Sequence, residues 1–152
     1  MDYQLYREQQ LYCDVGTAWE FFSSPMNLAL ITPPEMRFTI HTDCSQQHIY
    51  DGMLIDYTLT PLWGIPLKWQ TLISDVDPGR SFVDIQKRGP YAYWRHLHTF
   101  VPNEQGVMMY DTVDYALPFG RLGKLAHRIL VKKKLESIFD FRKRVLTKLF
   151  AG

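Results

Sequence analysis

Two rhythms divide this chain. Through the middle, apolar and polar residues alternate in short runs; towards the end, apolar positions recur every three or four residues. Alternation puts every second side chain on the same face of a strand. The most telling run is Trp94-Arg95-His96-Leu97-His98-Thr99-Phe100. Its even positions place Trp94, His96, His98 and Phe100 on one face. Such a face is too apolar for open water and too polar for a plain core. It suits a concave cavity, because ligand pockets combine apolar walls with a few placed polar groups.

The remaining elements follow from the same pattern. Residues 3–13 read as a first strand. Asp14 is a good helix cap before Val15–Phe22, and Ser23-Ser24-Pro25 ends that helix. Met26 to Ile31 forms a second short helix, stopped by Thr32-Pro33-Pro34. Six strands are predicted next: Met36–Asp43, Met53–Pro61, Leu67–Val76, Ser81–Lys87, Tyr93–Val101 and Met108–Leu117. Their separators are rich in glycine, proline, asparagine and aspartate, and strands joined by short turns pair antiparallel as a meander. From Arg121 to Phe150 there is no proline and one glycine, Gly123. Leu122, Leu125, Ala126, Ile129, Leu130, Ile138, Phe139, Val145, Leu146 and Leu149 predict one long amphipathic helix whose apolar residues lie on the sheet. The expected fold class is α+β. A curved antiparallel sheet of about seven strands grips a long C-terminal helix, with a pocket between them. Residues 1–152 read as a single domain.

Composition narrows the possibilities. Hydrophobic residues make up 46 % of 152, enough for a core without staples. Cys13 and Cys44 have no metal or redox spacing, so a reduced, cytoplasmic protein is expected. The start of the chain carries no secretory pattern, and no run approaches the ~20 apolar residues of a membrane span. Charge is uneven: ten basic and two acidic residues lie between Arg121 and Lys148, against seven and fourteen elsewhere. The basic helix offers an anionic membrane surface as a partner. Nucleic acid is not expected, since no groove-reading motif accompanies the charge.

Candidate chemistry centres on three neighbouring strands. A tight turn at Gly89–Ala92 sets Asp84 near His96 and Gln86 near Trp94. The following turn sets Asp111 near His98 and Val113 near His96. Phe82, Asp84, Gln86, Trp94, His96, His98, Asp111 and Tyr115 then share a face, provided the register holds. Tyr57 joins them through its alignment with Met53, Ile55 and Leu59, and Trp69 through Leu67, Thr71 and Ile73. The expected ligand-binding residues are therefore Tyr57, Trp69, Phe82, Gln86, Trp94, His96, His98, Phe100 and Tyr115. His96, His98, Asp84 and Asp111 are the candidates for acid–base chemistry. A metal held by His96 and His98 with Asp84 or Asp111 is the weaker reading, because spacing marks no third ligand; no metal and no cofactor are assigned. No nucleophile elbow, glycosidase carboxylate pair or phosphate-binding glycine loop is present. Leu62-Trp63 and Gly64-Ile65-Pro66 form an apolar hairpin tip, readable as a lid, a membrane-touching loop or a plain turn.

Several segments carry a family resemblance. They are Ala18-Trp19-Glu20-Phe21-Phe22 through Asn27-Leu28 to Ile31-Thr32-Pro33-Pro34, Gly64-Ile65-Pro66 before Trp69, Gly89-Pro90-Tyr91 before Trp94, Asp111-Thr112-Val113-Asp114-Tyr115, and Leu117-Pro118-Phe119-Gly120. With the order of elements, they resemble the helix-grip superfamily (SRPBCC, or START-like). It includes START lipid-transfer domains, polyketide cyclases/aromatases and plant pollen-allergen proteins. The likeness is to a bacterial branch described as ligand-binding or cyclase-like, some members as cell-division-inhibitor-like. The resemblance implies a hydrophobic or amphipathic small-molecule ligand such as a lipid, quinone, polyketide or other aromatic. Its alternative implication is a cyclase or dehydratase using His/Asp acid–base catalysis.

Overall fold

Asp14 starts the first helix as its side chain requires: Oδ1 accepts from the Thr17 amide at 2.7 Å. The computed structural model describes residues 2–44 and 48–151. Strand β1 (Asp2–Leu11) leads into α1 (Val15–Phe22), then two 3-10 segments, Pro25–Ile31 and Pro34–Met36. Strands β2 (Thr39–Ile40), β3 (Leu54–Leu59), β4 (Leu67–Asp77), β5 (Ser81–Arg88), β6 (Tyr93–Asn103) and β7 (Gly106–Ala116) follow. The chain ends in α2 (Gly120–Ala126), a π-turn (His127–Val131) and α3 (Lys132–Leu149), which run on as one helix.

The strands form one antiparallel sheet in the order β1-β7-β6-β5-β4-β3-β2. Six strands make the meander, and β1 docks on the far side of β7. The outer strands do not pair, so the sheet stays open. Register shifts in β4 between Gln70 and Thr71 and between Ser74 and Asp77 bend it locally.

Two expectations need correction. The strand over Met36–Asp43 shrinks to Thr39–Ile40. Pro34 begins a 3-10 turn that carries Met36, and Arg37 takes a left-handed backbone (φ 49°), so no extended pairing begins before Thr39. The apolar residues at the start of the long helix do not lie on the sheet either. Leu122 is 73 % exposed, and Leu125 and Ile129 are also exposed. The buried stripe runs instead through Gly123, His127, Leu135, Phe139 and Leu146. Gly123 sits so close to Pro118 that a Cβ would lie 2.1 Å from its carbonyl oxygen. Packing there is backbone against backbone, which leaves Leu122 and Leu125 on the flanks.

The core divides in two. One cluster gathers Tyr57, Trp69, Trp94, Val113, Tyr115, Leu135 and Phe139. The other gathers Leu11, Ala18, Ile31, Phe82, Phe100, Met109 and Leu146. Three elements contribute buried residues to both, and each carries one or two polar residues at the crossing. On β6, His96 and His98 separate Trp94 from Phe100; on β7, Asp111 separates Val113 from Met109; on α3, Arg142 separates Phe139 from Leu146. No described helix is long and apolar enough to cross a membrane.

Candidate functional site

The polar layer is built by register. Asp84 pairs with His96 across β5 and β6, and His98 pairs with Asp111 across β6 and β7. The hydrogen bonds nevertheless run diagonally, within reach of long side chains on one sheet face. Asp84 Oδ2 lies 2.6 Å from His98 Nε2, and Asp111 Oδ1 lies 2.7 Å from His96 Nε2. The two rings stack at 3.7 Å between centroids. Each carboxylate also meets the other ring: Asp84 Oδ2 is 3.5 Å from His96 Nδ1, and Asp111 Oδ1 is 3.5 Å from His98 Nδ1. Trp94 Nε1 donates to Asp84 Oδ1 at 3.3 Å. Phe82 covers the far side of the His98 ring at 4.1 Å.

Burial and neighbours set the charges. Burial alone would raise the Asp84 carboxyl, but His96 and His98 outweigh it and hold the group below the usual carboxylate range. Asp111 is likewise held low against burial by His96, His98 and Arg142. Burial, then the adjacent His96, pushes the His98 imidazole down despite Asp84. Burial raises the Tyr57 hydroxyl, leaving it a neutral group bonded to Thr71 Oγ1 at 3.1 Å. The same Oγ1 accepts from Trp69 Nε1 at 3.0 Å, so Thr71 aligns both aromatics.

A cavity of about 550 Å³ opens above this layer, between the sheet and the terminal helix. Tyr57, Trp69, Trp94, His96, His98 and Asp84 line it. Phe82 lines a smaller adjoining pocket of about 90 Å³. The other expected residues lie elsewhere. Phe100 is fully buried beneath Trp19 and Phe22. Tyr115 bonds His127 Nε2 at 2.7 Å and packs between Tyr3 and Tyr91. Gln86 clasps the turn after β5, donating to the Tyr91 carbonyl at 2.8 Å and accepting from its amide at 2.9 Å.

Arg142 was not anticipated. It lines the cavity, its Nε is buried with no hydrogen-bond partner among the described residues, and its guanidinium lies 4.9 Å from the centre of the Phe139 ring. Burial lowers its pKa, opposed by Asp111 and Asp84. The signal was present: Leu135, Phe139, Arg142 and Leu146 follow steps of four, three and four, so an arginine stands within the buried stripe.

The β3–β4 and β7–α2 connections contribute Leu62, Phe119 and Leu122 to the cavity lining, and the exposure of Phe119 and Leu122 marks this as its rim. Trp63 is 78 % and Phe119 80 % exposed. Both hold positive φ angles (52° and 70°), uncommon for bulky side chains.

No protein-family model matches the chain, and no curated protein sequence matches it significantly. Solved structures do match. A protein from Chromobacterium violaceum superposes with a TM-score of 0.72 at 14 % identity, covering 98 % of both chains. A norcoclaurine synthase point mutant from Thalictrum flavum, in complex with a transition-state analogue, gives 0.66 at 14 % identity over 97 % of this chain and 96 % of that one. Ginseng major latex-like protein 151, from Panax ginseng, gives 0.68 at 11 % identity over 100 % and 99 %. The chain has the helix-grip fold. The START-like resemblance in the sequence is thus a likeness of architecture. At such identities a helix-grip protein shares a frame with its neighbours, and its activity has to be argued from its own cavity.

Proposed function

We propose that this protein binds a hydrophobic or amphipathic small molecule, such as a lipid, quinone, polyketide or other aromatic, between sheet and terminal helix. The observation that carries this reading is a cavity of about 550 Å³ with aromatic walls and a polar floor. Its size is ordinary for small-molecule sites, which run about 300–1,000 Å³. Trp69, Trp94 and Tyr57 take the apolar body; His96, His98, Asp84 and Arg142 meet the polar end. Native mass spectrometry of gently purified protein tests this and is expected to find one co-purifying apolar compound. Trp94→Ala should lower its occupancy at least tenfold. An empty protein that also ignores fatty-acid and aromatic probes at micromolar concentration would sink the proposal.

The rim supports a finer reading, in which an anionic membrane surface is the partner. Exposed Phe119 and Leu122 neighbour exposed Arg121 and Lys124 in sequence, and exposed Trp63 follows the cavity-lining Leu62. Apolar wedges beside basic side chains suit an anionic bilayer.

The Asp84–His98 pair favours a second reading, a cyclase or dehydratase. A carboxylate bonded to one imidazole nitrogen orients the ring for proton transfer. Under that reading His98→Ala abolishes turnover of a polyketide-like substrate while binding stays within a few-fold. Parallel loss of both leaves only a positioning role.

A further inference from the structure

We infer that Asp84, His96 and His98 form a binding site for a divalent first-row transition-metal ion at the floor of the cavity. The inference shares Asp84, His96 and His98 with the ligand reading, and its test uses a metal ion alone, so either can fail without the other.

The three side chains each offer one ligand atom, all within 4.8 Å of one another. Asp84 Oδ2 is the shared apex, 2.6 Å from His98 Nε2 and 3.5 Å from His96 Nδ1. A tetrahedral ion with bonds of ~2.0–2.1 Å separates its ligand atoms by about 3.3 Å. Both spacings reach that value with shifts under an ångström, and the stacked rings, now 25° apart, must also tilt so that both lone pairs meet one ion. The donor set is two imidazoles and one carboxylate, which suits zinc and its first-row neighbours and leaves coordination positions open. All three residues line the cavity, so water or a small ligand there can complete the shell.

The surroundings match what holds ligands in place. Metal-bound histidines commonly give their other N–H to a carboxylate, which fixes the tautomer. Asp111 Oδ1 sits behind both rings, 2.7 Å from His96 Nε2 and 3.5 Å from His98 Nδ1. His98 Nδ1 is buried and makes no hydrogen bond among the described residues. Coordination through Nε2 puts a proton on Nδ1, aimed at Asp111, and so gives the orphaned atom a role. Trp94 holds the other Asp84 oxygen, keeping Oδ2 towards the imidazoles. The two carboxylates supply negative charge; Arg142 favours that charge from nearby, without a described ion pair to either.

The test is calorimetric titration of chelator-treated, full-length protein with Co²⁺ and with Zn²⁺. One equivalent should bind at micromolar concentration or tighter. Asp84→Asn and His98→Gln should each weaken binding at least 100-fold, and Asp111→Asn about 10- to 100-fold. No binding below millimolar concentration overturns the inference, as does one equivalent that survives both ligand substitutions. Should the variants fail to fold, pulsed electron paramagnetic resonance of wild-type protein with one equivalent of Cu²⁺ decides. Two coordinated imidazoles support the site; one or none overturns it.

Discussion

Arg142 stands on the helix face that carries the buried Leu135, Phe139 and Leu146. Arg142 is partly covered, and its buried Nε finds no acceptor among the described residues. An apolar side chain of similar volume removes the desolvation cost of that atom. Arg142→Met should therefore keep or raise the melting temperature while lowering ligand affinity at least tenfold, measured by thermal unfolding and ligand titration. A large loss of stability would show that Arg142 serves packing instead. His127 makes a separate demand on pH. It stacks on Tyr3 at 3.5 Å, bonds Tyr115 and shares a surface groove with Lys132 and Glu136. Burial, then Lys132, holds its imidazole below the ordinary histidine range. The unfolded chain thus takes up this proton more readily than the folded one. The contribution of neutral His127 is complete above the unfolded value of about 6.5, and it is lost as pH falls from there through the lower folded value. His127→Gln should flatten the fall in urea midpoint between about pH 7.5 and about pH 5.5. An unchanged slope would assign the effect elsewhere. At this scale the sequence was only partly legible. Alternation along β6 put His96 and His98 on one face, but it could not show that the hydrogen bonds cross diagonally. Nor could it show that Phe100 belongs to the other cluster, because parity gives the face and not the depth along it.

Among the elements, the terminal helix departs furthest from a regular reading. Its periodicity was visible, and its ends fall within a residue of the expected Arg121 and Phe150. The π-turn at His127–Val131 was not, since no residue type marks one inserted position. Such turns rotate the following helix and recur at functional sites. Here the turn joins the exposed, basic α2 to the α3 face that carries Leu135, Phe139 and Arg142. The docking of α2 rests on Gly123. Gly123→Ala drives a methyl group into the Pro118 carbonyl, and overpacking of this kind costs about 1–3 kcal/mol. Chemical denaturation should show that loss. Hydrogen exchange should show α2 opening before α3, and a uniform change along the whole helix would contradict this account. The β2 segment was over-read for a related reason. Alternation at Met36, Phe38 and Ile40 signals burial on one side, and a 3-10 turn followed by a left-handed residue supplies that as well as a strand does.

For the whole molecule, the fold was legible because its order of elements is distinctive, whereas the cavity's occupant was not. Seven strands and one long helix have few ways to bury their apolar faces. The placement of charge carries the remaining prediction. Co-sedimentation with vesicles should grow with anionic lipid content and weaken as salt rises. Trp63→Ser with Phe119→Ser should reduce it several-fold without lowering the melting temperature. Association indifferent to both salt and substitution would remove the rim from the functional account.

The four indoles of the chain occupy unlike environments. Trp69 and Trp94 are shielded in the cavity wall and Trp19 is partly covered, while Trp63 stands open to water at the entrance. The molecule thus carries its own optical gauge. Quenching by a soluble agent should strike the red edge of its emission first, and protection of that edge would report whatever comes to rest across the opening.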